Sequence, residues 1–257
     1  MLDRITPLVL TYNEEANLPR LLAALDWAGR IVVVDSFSTD RTAEILRAHP
    51  RVEMFERKFD SHAKQWSYGL DETGISTEWV LALDADYIVT PESLEELRKL
   101  DPDERVSGYR AGFRYCINGR PLWGSLYPPV TVLYRKKRAS YVQDGHTQRA
   151  VIEGSVESLQ QRLWHDDRKS LSRWLKSQDG YSDQEADKIL GTSFAELPWS
   201  GRVRKLLVLA APAAVVSTLI LNGGIFQGTA GLYYAMQRTL AEILITLKML
   251  DRTLFRR

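Results

Sequence analysis

IVVVDSFSTDRTAEILRA, Ile31 to Ala48, carries the reading that decides the fold class. Ile31 to Val34 are all apolar and β-branched, and Asp35 closes the run. Such a run describes a strand covered on both faces, as in parallel sheets. Ser36 to Asp40 are turn and capping residues, and DRTAEILRA continues with apolar residues at helical spacing. A strand that passes into a helix within five residues is the first half of a βαβ unit. The same order recurs on both sides. TPLVLTY (Thr6–Tyr12) reads as a buried strand, and Glu14 to Asp26 follows as a helix with Leu18, Leu21, Leu22 and Leu25 on one face. Val52 to Phe55 is a short strand followed by the helix SHAKQWSYGLDET. EWVLALD is a fourth strand, and Thr90 with Pro91 opens the next helix. These alternations predict an α/β fold with a mostly parallel sheet flanked by helices. After about residue 105 the pattern changes. SGYRAGFRYCING and PPVTVLYRKK read as strands with turns at Asn118-Gly119 and Pro128-Pro129, and Ser170 to Leu190 reads as one or two polar helices.

The 257 residues suffice for one good-sized core or a core plus an appendage. A formal net charge of +1 gives no global field for nucleic acid, and no nucleic-acid partner is expected. Cys116 is the only cysteine, which excludes an intramolecular disulfide and fits a reducing compartment. It reads as a small packing residue. MLDRITPLVLTYNEE has too short an apolar run for a signal peptide, so residues 1 to about 200 are expected in the cytosol.

In open α/β sheets ligands sit at the carboxyl ends of the strands. Four strands here end in Thr11-Tyr12-Asn13-Glu14, Asp35-Ser36, Glu56-Arg57 and Asp84-Ala85-Asp86. Alternation along an extended segment points Asp84 and Asp86 to the same side. Carboxylate oxygens suit Mg²⁺ or Mn²⁺, which keep several waters and bridge to substrate phosphates. The plain alternative is a pair of capping acids. Asp35 is placed to accept hydrogen bonds from a ribose or a base edge, or to cap the following turn. No Gly-x-Gly-x-x-Gly follows the first strand, which disfavours a dinucleotide site.

LTYNEEANLPRLLAAL, IVVVDSFSTDRTAEI and WVLALDAD, in that order, resemble the family 2 glycosyltransferases of the GT-A (Rossmann-like) fold. DSFSTDRT resembles in particular the lipopolysaccharide-core glucosyltransferase branch. The resemblance implies that Thr11, Tyr12, Asn13 and Glu14 line a nucleotide pocket and that Asp35 contacts the base or ribose. It implies that Asp84 and Asp86 hold the donor diphosphate through a divalent metal, and that Lys64 and Gln65 lie near the donor. A lysine there could pair with a phosphate oxygen, or lie on a solvated helix face. The acceptor base of the family is usually an acid in a Glu-Asp pair. This chain has VQDGHTQRAVIEG instead, so Asp144 is the candidate base and His146 its rival. His165 is a candidate third metal or phosphate ligand, or a structural strand-end histidine. Arg135 and Arg149 are candidates for stabilising the leaving diphosphate, against the ordinary reading as surface arginines. Tyr87 stands where the family has an acid after the second metal aspartate. The resemblance implies a UDP-sugar donor and one-step displacement with inversion. The expected division is a catalytic domain over 1–165 (nucleotide-sugar half about 1–105, acceptor half about 106–165), a helical connector over 166–200 and a membrane-attachment region over 201–257.

Leu206 to Gln237 contains no Asp, Glu, Lys or Arg. Its opening run, Leu206 to Leu221, is short for a membrane crossing, and Asn222-Gly223-Gly224 breaks it. Leu232 to Leu254 reads as an amphipathic helix, with Arg238, Lys248 and Arg252 off its apolar stripe. A broken apolar segment with a basic amphipathic helix suits embedding in, or lying on, a membrane. A core hairpin or a homo-oligomer interface is the alternative. The expected enzyme is a peripheral or monotopic glycosyltransferase on the cytoplasmic face of the inner membrane. Its acceptor would carry a lipid, such as lipopolysaccharide core or a polyprenol-linked glycan. The rivals are a sugar-phosphate nucleotidyltransferase and a catalytically silent, membrane-bound assembly partner.

Overall fold

The computed structural model describes residues 1–144 and 147–255, the side chains of Asp144 and Thr147 excepted. The chain forms two units. One comprises Met1–Asn118 and Tyr127–Arg168, and the other Gly119–Leu126 with the residues from Lys169 on. This grouping differs from the expected segments. Residues 166–168 stay with the catalytic part, 169–200 join the C-terminal helices rather than forming a connector, and eight residues from the middle of the chain join them too.

In the first unit the strands and helices alternate as β1 (Ile5–Thr11), α1 (Leu18–Ala24), β2 (Ile31–Asp35), α2 (Thr42–Ala48), β3 (Val52–Glu56), α3 (His62–Asp71), β4 (Trp79–Asp84), β5 (Tyr87–Ile88) and α4 (Pro91–Lys99). Then follow β6 (Val106–Ala111) and β7 (Phe113–Ile117). The two-residue β8 (Arg120–Pro121) belongs to the second unit. The first resumes with β9 (Val130–Arg135), β10 (Ala139–Asp144), β11 (Thr147–Ile152), β12 (Ser155–Ser158) and β13 (Leu163–His165). The main sheet has the order β12-β6-β9-β4-β1-β2-β3. All neighbours are parallel except β9, which runs antiparallel to β4 and β6. Strand β13 lies between β5 and β7 in a smaller sheet, and β10 and β11 form a hairpin.

The uninterrupted apolar strands follow from a sheet with a core on each side. Leu8, Val32, Val34, Val80 and Ala82 pack with Trp66 and Leu70 of α3. Their neighbours Val9, Val33, Leu81 and Leu83 turn to the other side, against Leu18, Leu21 and Leu25, Leu46 of α2 and Leu97 of α4. Helix α1 starts at Leu18 rather than at Glu14 because Asn17 N–H bonds back to Glu14 O, making a turn first. Thr90 and Ser93 cap α4 reciprocally, with Pro91 in its first turn.

The second unit is helical: α5 (Leu171–Gly191), α6 (Trp199–Lys205), α7 (Ala210–Val215) continued by a π-helical stretch Val216–Leu221, then a short turn Gly224–Gln227 and α8 (Gly228–Phe255). The polar segment at 170–190 is thus one helix. Its acids recur every four residues and meet the basic residues of α8. Lys248 Nζ lies 2.7 Å from Asp179 and 3.0 Å from Asp183, and Arg252 pairs with Asp183 and Asp187. Arg204 bridges Glu185 and Glu242. This corrects one expectation. Lys248 and Arg252 do not face outward beside an apolar stripe; they close an internal seam, over a core of Ala186, Ile189, Ile245 and Met249. Glycines allow a close approach at the bend. A Cβ on Gly231 would stand 2.0 Å from the Gly224 carbonyl oxygen. Among the described residues no single helix is long and apolar enough to cross a membrane. The pair Ala210–Leu221 and Gly224–Phe255, bent by 65°, passes by length and composition only when taken together.

Candidate active site

Parallel register brings the polar strand ends together. Thr11 lies beside Asp35, and Leu10 beside Asp84. Asp35 is fully buried. Its carboxylate accepts from Thr11 Oγ1 at 2.8 Å, from Ser38 N–H at 2.7 Å and from Ser38 Oγ at 2.5 Å. Ser38 Oγ accepts in turn from Asn13 N–H at 2.7 Å, and Asn13 Oδ1 accepts from Thr39 N–H at 2.6 Å. The loops after β1 and β2 are therefore stitched into one rim. Asn13 (φ 55°) and Phe37 (φ 59°) both hold left-handed backbone, which asparagine adopts readily but which is strained for the bulky Phe37. Tyr12 and Phe37 stand out from this rim, each 53% exposed. Glu14 is buried, accepting from Asn17 Nδ2 at 2.8 Å.

Asp84 ends β4 on the α3 side of the sheet, by the alternation that carries Val80 and Ala82 there. Asp86 lies in the turn before β5, and its Oδ2 is 3.0 Å from His165 Nε2 at the end of β13. The rings of Tyr127, Tyr115 and Tyr87 surround that imidazole at 4.4, 4.7 and 5.4 Å between centroids. Burial by itself lowers the basicity of His165. The adjoining carboxylate of Asp86, with Asp84 and Asp167 beyond it, outweighs burial and raises its pKa above the usual value. His165 therefore takes the place of a partner to Asp86. No group of three or more His, Cys, Asp or Glu residues that could hold a metal occurs among the described residues. The two carboxylates fit the lesser demand of an octahedral ion whose other ligands are phosphate oxygens and water. The histidine fits as the group that orients a ligating carboxylate.

A family model described as glycosyl transferase family 2 matches residues 8–154, more than half of the chain. The chain belongs to that family. Among relatives, the lipopolysaccharide core biosynthesis glycosyltransferase LpsC of Rhizobium meliloti is 24% identical over 96% of this chain and 92% of its own. An uncharacterized glycosyltransferase of Rickettsia bellii is 23% identical over 73% of this chain and 68% of its own. Among solved structures, S. aureus TarS 1-349 in complex with UDP-GlcNAc aligns with 98% of this chain and 91% of that one, at TM-score 0.49 and 15% identity. The mostly parallel sheet with flanking helices is the GT-A architecture that the resemblance implied.

The remaining expected residues of this family 2 glycosyltransferase are placed unevenly. Gln65 is buried at the site's floor, where its Nε2 donates to Ser36 Oγ at 2.9 Å and to Arg57 O at 3.1 Å. Lys64 lies on the exposed face of α3, 3.4 Å from Asp60. Arg57 holds that Asp60 carboxyl far below the usual carboxylate range. Arg135 is a correction. It pairs with Trp79, at the start of β4, and so lies five residues from Asp84, about 17 Å along the strand. There its guanidinium stacks on the Trp79 ring at 4.7 Å, meets Glu78 and donates to Val106 O. An antiparallel strand ends at the opposite edge of the sheet, which removes Arg135 from the diphosphate. Arg149 is exposed on β11, opposite Val142. Asp144 ends β10 opposite Thr147, and His146 lies outside the described residues. Gln143 Oε1 accepts from Ala63 N–H at 3.1 Å, which brings this end of the hairpin to the first turn of α3, at the carboxyl edge of the sheet.

One group went unrecognised in the sequence. Asn17 Nδ2 donates to Asp167 at 3.0 Å, and its Oδ1 accepts from Arg168 N–H at 2.9 Å and Arg20 at 2.8 Å. Arg20 and Arg168 both pair with buried Asp166. This knot ties the start of α1 to the segment after His165. Its only signal was the acid pair in HDDR.

Proposed function

We propose that the protein transfers a sugar from a nucleotide-sugar donor, a UDP-sugar by the resemblance, to a lipid-bearing acceptor by inverting displacement. The observation that carries the reading is the convergence of Asp35, Asp84 and Asp86 on one sheet edge behind the exposed rim of Tyr12 and Phe37. Asp35, buried beneath the rim, would hold Thr11 and the Ser38 turn in place for the nucleoside, Tyr12 would lie along the base, and Asp84 and Asp86 would hold a divalent ion at the donor diphosphate. Such an ion supplies neutralisation of the charge that grows on the departing diphosphate. Asp144, carried by the hairpin to the same edge, would take the acceptor's proton as its oxygen attacks the anomeric carbon. The similarity to LpsC supports a lipopolysaccharide-core acceptor. A 32% identical stretch in an undecaprenyl-phosphate 4-deoxy-4-formamido-L-arabinose transferase, over 37% of this chain, supports a polyprenol-linked one. Attachment to the cytoplasmic face of a membrane through the second unit completes the reading.

The test is a thermal-shift series with nucleotide sugars, with and without Mn²⁺, on the parent and Asp86→Ala. A donor at 100 times its dissociation constant stabilises by about 2.7 kcal/mol. The expected result is a metal-dependent shift with one donor, lost in the variant, together with sugar transfer. Shifts with no donor, and no donor hydrolysis, would favour the silent assembly partner.

A further inference from the structure

We propose that the second unit embeds in the acyl region of one leaflet of a lipid bilayer through an uncharged platform, and that the loop tip Leu122–Leu126, beyond the exposed Arg120, is part of that platform. The inference deepens the membrane attachment proposed above and is independent of the donor chemistry.

The platform is built around the break at Asn222-Gly223-Gly224. A Cβ on Gly223 would meet the Trp123 ring at 3.2 Å, and one on Gly124 would meet Asn222 Oδ1 at 2.4 Å. The loop tip therefore lies directly on the break. Around it Trp123, Leu221, Ile225 and Phe226 are between 65% and 77% exposed. The whole span from Leu206 to Gln237 has no Asp, Glu, Lys, Arg or His to oppose entry into hydrocarbon.

Irregular backbone at lipid depth must find its hydrogen bonds inside the protein, because no water is there to supply them. This segment does so with its own amide and hydroxyl side chains. Asn222 Nδ2 donates to Ser217 O at 2.8 Å, and Thr218 Oγ1 to Ala214 O at 2.6 Å. Gln227 Oε1 accepts from Trp123 N–H and Tyr234 OH from Leu126 N–H, both at 2.8 Å. The segment Ala210–Leu221 reaches only about 18 Å before the bend, against about 30 Å of hydrocarbon, so it enters and returns. This mode of entry does not call for electrostatic attraction, and five of the unit's basic residues are engaged within it: Arg202 and Lys205 donate to its own carbonyls, and Arg204, Lys248 and Arg252 are paired with its acids.

The experiment is co-sedimentation of the full chain with phosphatidylcholine vesicles, without donor. The parent is expected to sediment with these neutral vesicles and to change by less than about twofold between about 0.05 and 0.5 M salt. The triple variant Trp123→Ser, Ile225→Ser, Phe226→Ser is expected to partition about tenfold less or lower. It should keep its circular dichroism and its donor-induced thermal shift, so that loss of lipid binding and loss of donor binding are read separately. A second measurement needs no triple variant: brominated acyl chains should quench the parent's tryptophan fluorescence, and Trp123→Phe should remove most of that quenching. A parent that stays in the supernatant overturns the proposal. So does binding that needs anionic lipid and fails in salt, or a vesicle-independent dimer that the triple variant turns into monomer.

Discussion

Asp35 shows how one residue was legible by place and not by company. An acid closing a run of β-branched residues marks the carboxyl edge of a parallel strand, and there it lies. Its partner Ser38 could not be read, because the bond depends on Phe37 taking left-handed backbone, which a bulky residue rarely signals. The carboxylate accepts three hydrogen bonds and donates none. In Asp35→Asn the amide either opposes Ser38 N–H or forces the Thr11 and Ser38 hydroxyls to reverse and lose their charged acceptor, so the variant is expected to lose about 1–3 kcal/mol in urea unfolding as well as donor binding. Cys116 gives a second expectation at this scale. Burial pushes its thiol up to about 12. As pH rises past about 8.5 the unfolded chain releases this proton first and binds fewer protons than the folded one, so stability falls across that range. Cys116→Ala should lose less in thermal midpoint than the parent between about pH 7 and about pH 10. An equal decline in both would show that the thiol stays accessible.

At the scale of elements, β1, β2 and β4 were legible because their apolar runs fit a sheet covered on both faces, and β3 because it stands between two helical patterns. The later strands were not. The antiparallel return of β9 is a matter of strand direction, which hydrophobic pattern leaves open, and it carried Arg135 to the opposite edge. The pairing of Asp86 with His165 also depends on β13 docking beside β5, across 79 residues of chain. In the second unit the seam of α5 and α8 was written as acids and bases four apart on two separate helices, but each helix alone reads as an ordinary amphipathic surface. The close approach behind the bend gives a direct test. In Gly231→Ala the new methyl group meets backbone, which cannot turn aside as a side chain can. The helix must shift, and a loss of about 1–3 kcal/mol is expected in the second unit. Hydrogen exchange of α8 amides would report it, and unchanged protection would mean that the two segments separate without cost.

At the scale of the whole molecule, the two units are interleaved in sequence. The first could be read from its strands as far as β4, whereas the membership of Gly119–Leu126 in the second had no sequence signal, since a short loop with one tryptophan fits anywhere. That membership has a consequence for how the chain is made. On the ribosome, the last strand of the first unit is complete at His165, yet Trp123 and Leu126 await Gln227 and Tyr234, 104 and 108 residues downstream. At about 5–20 residues per second these loop amides and the apolar side chains beside them stay bare for about 5–20 s of every synthesis. A chain ended after Arg168 would keep them bare for good. It is expected to elute as aggregates in gel filtration, and substituting Trp123 and Leu126 with serine should return it to a monomer.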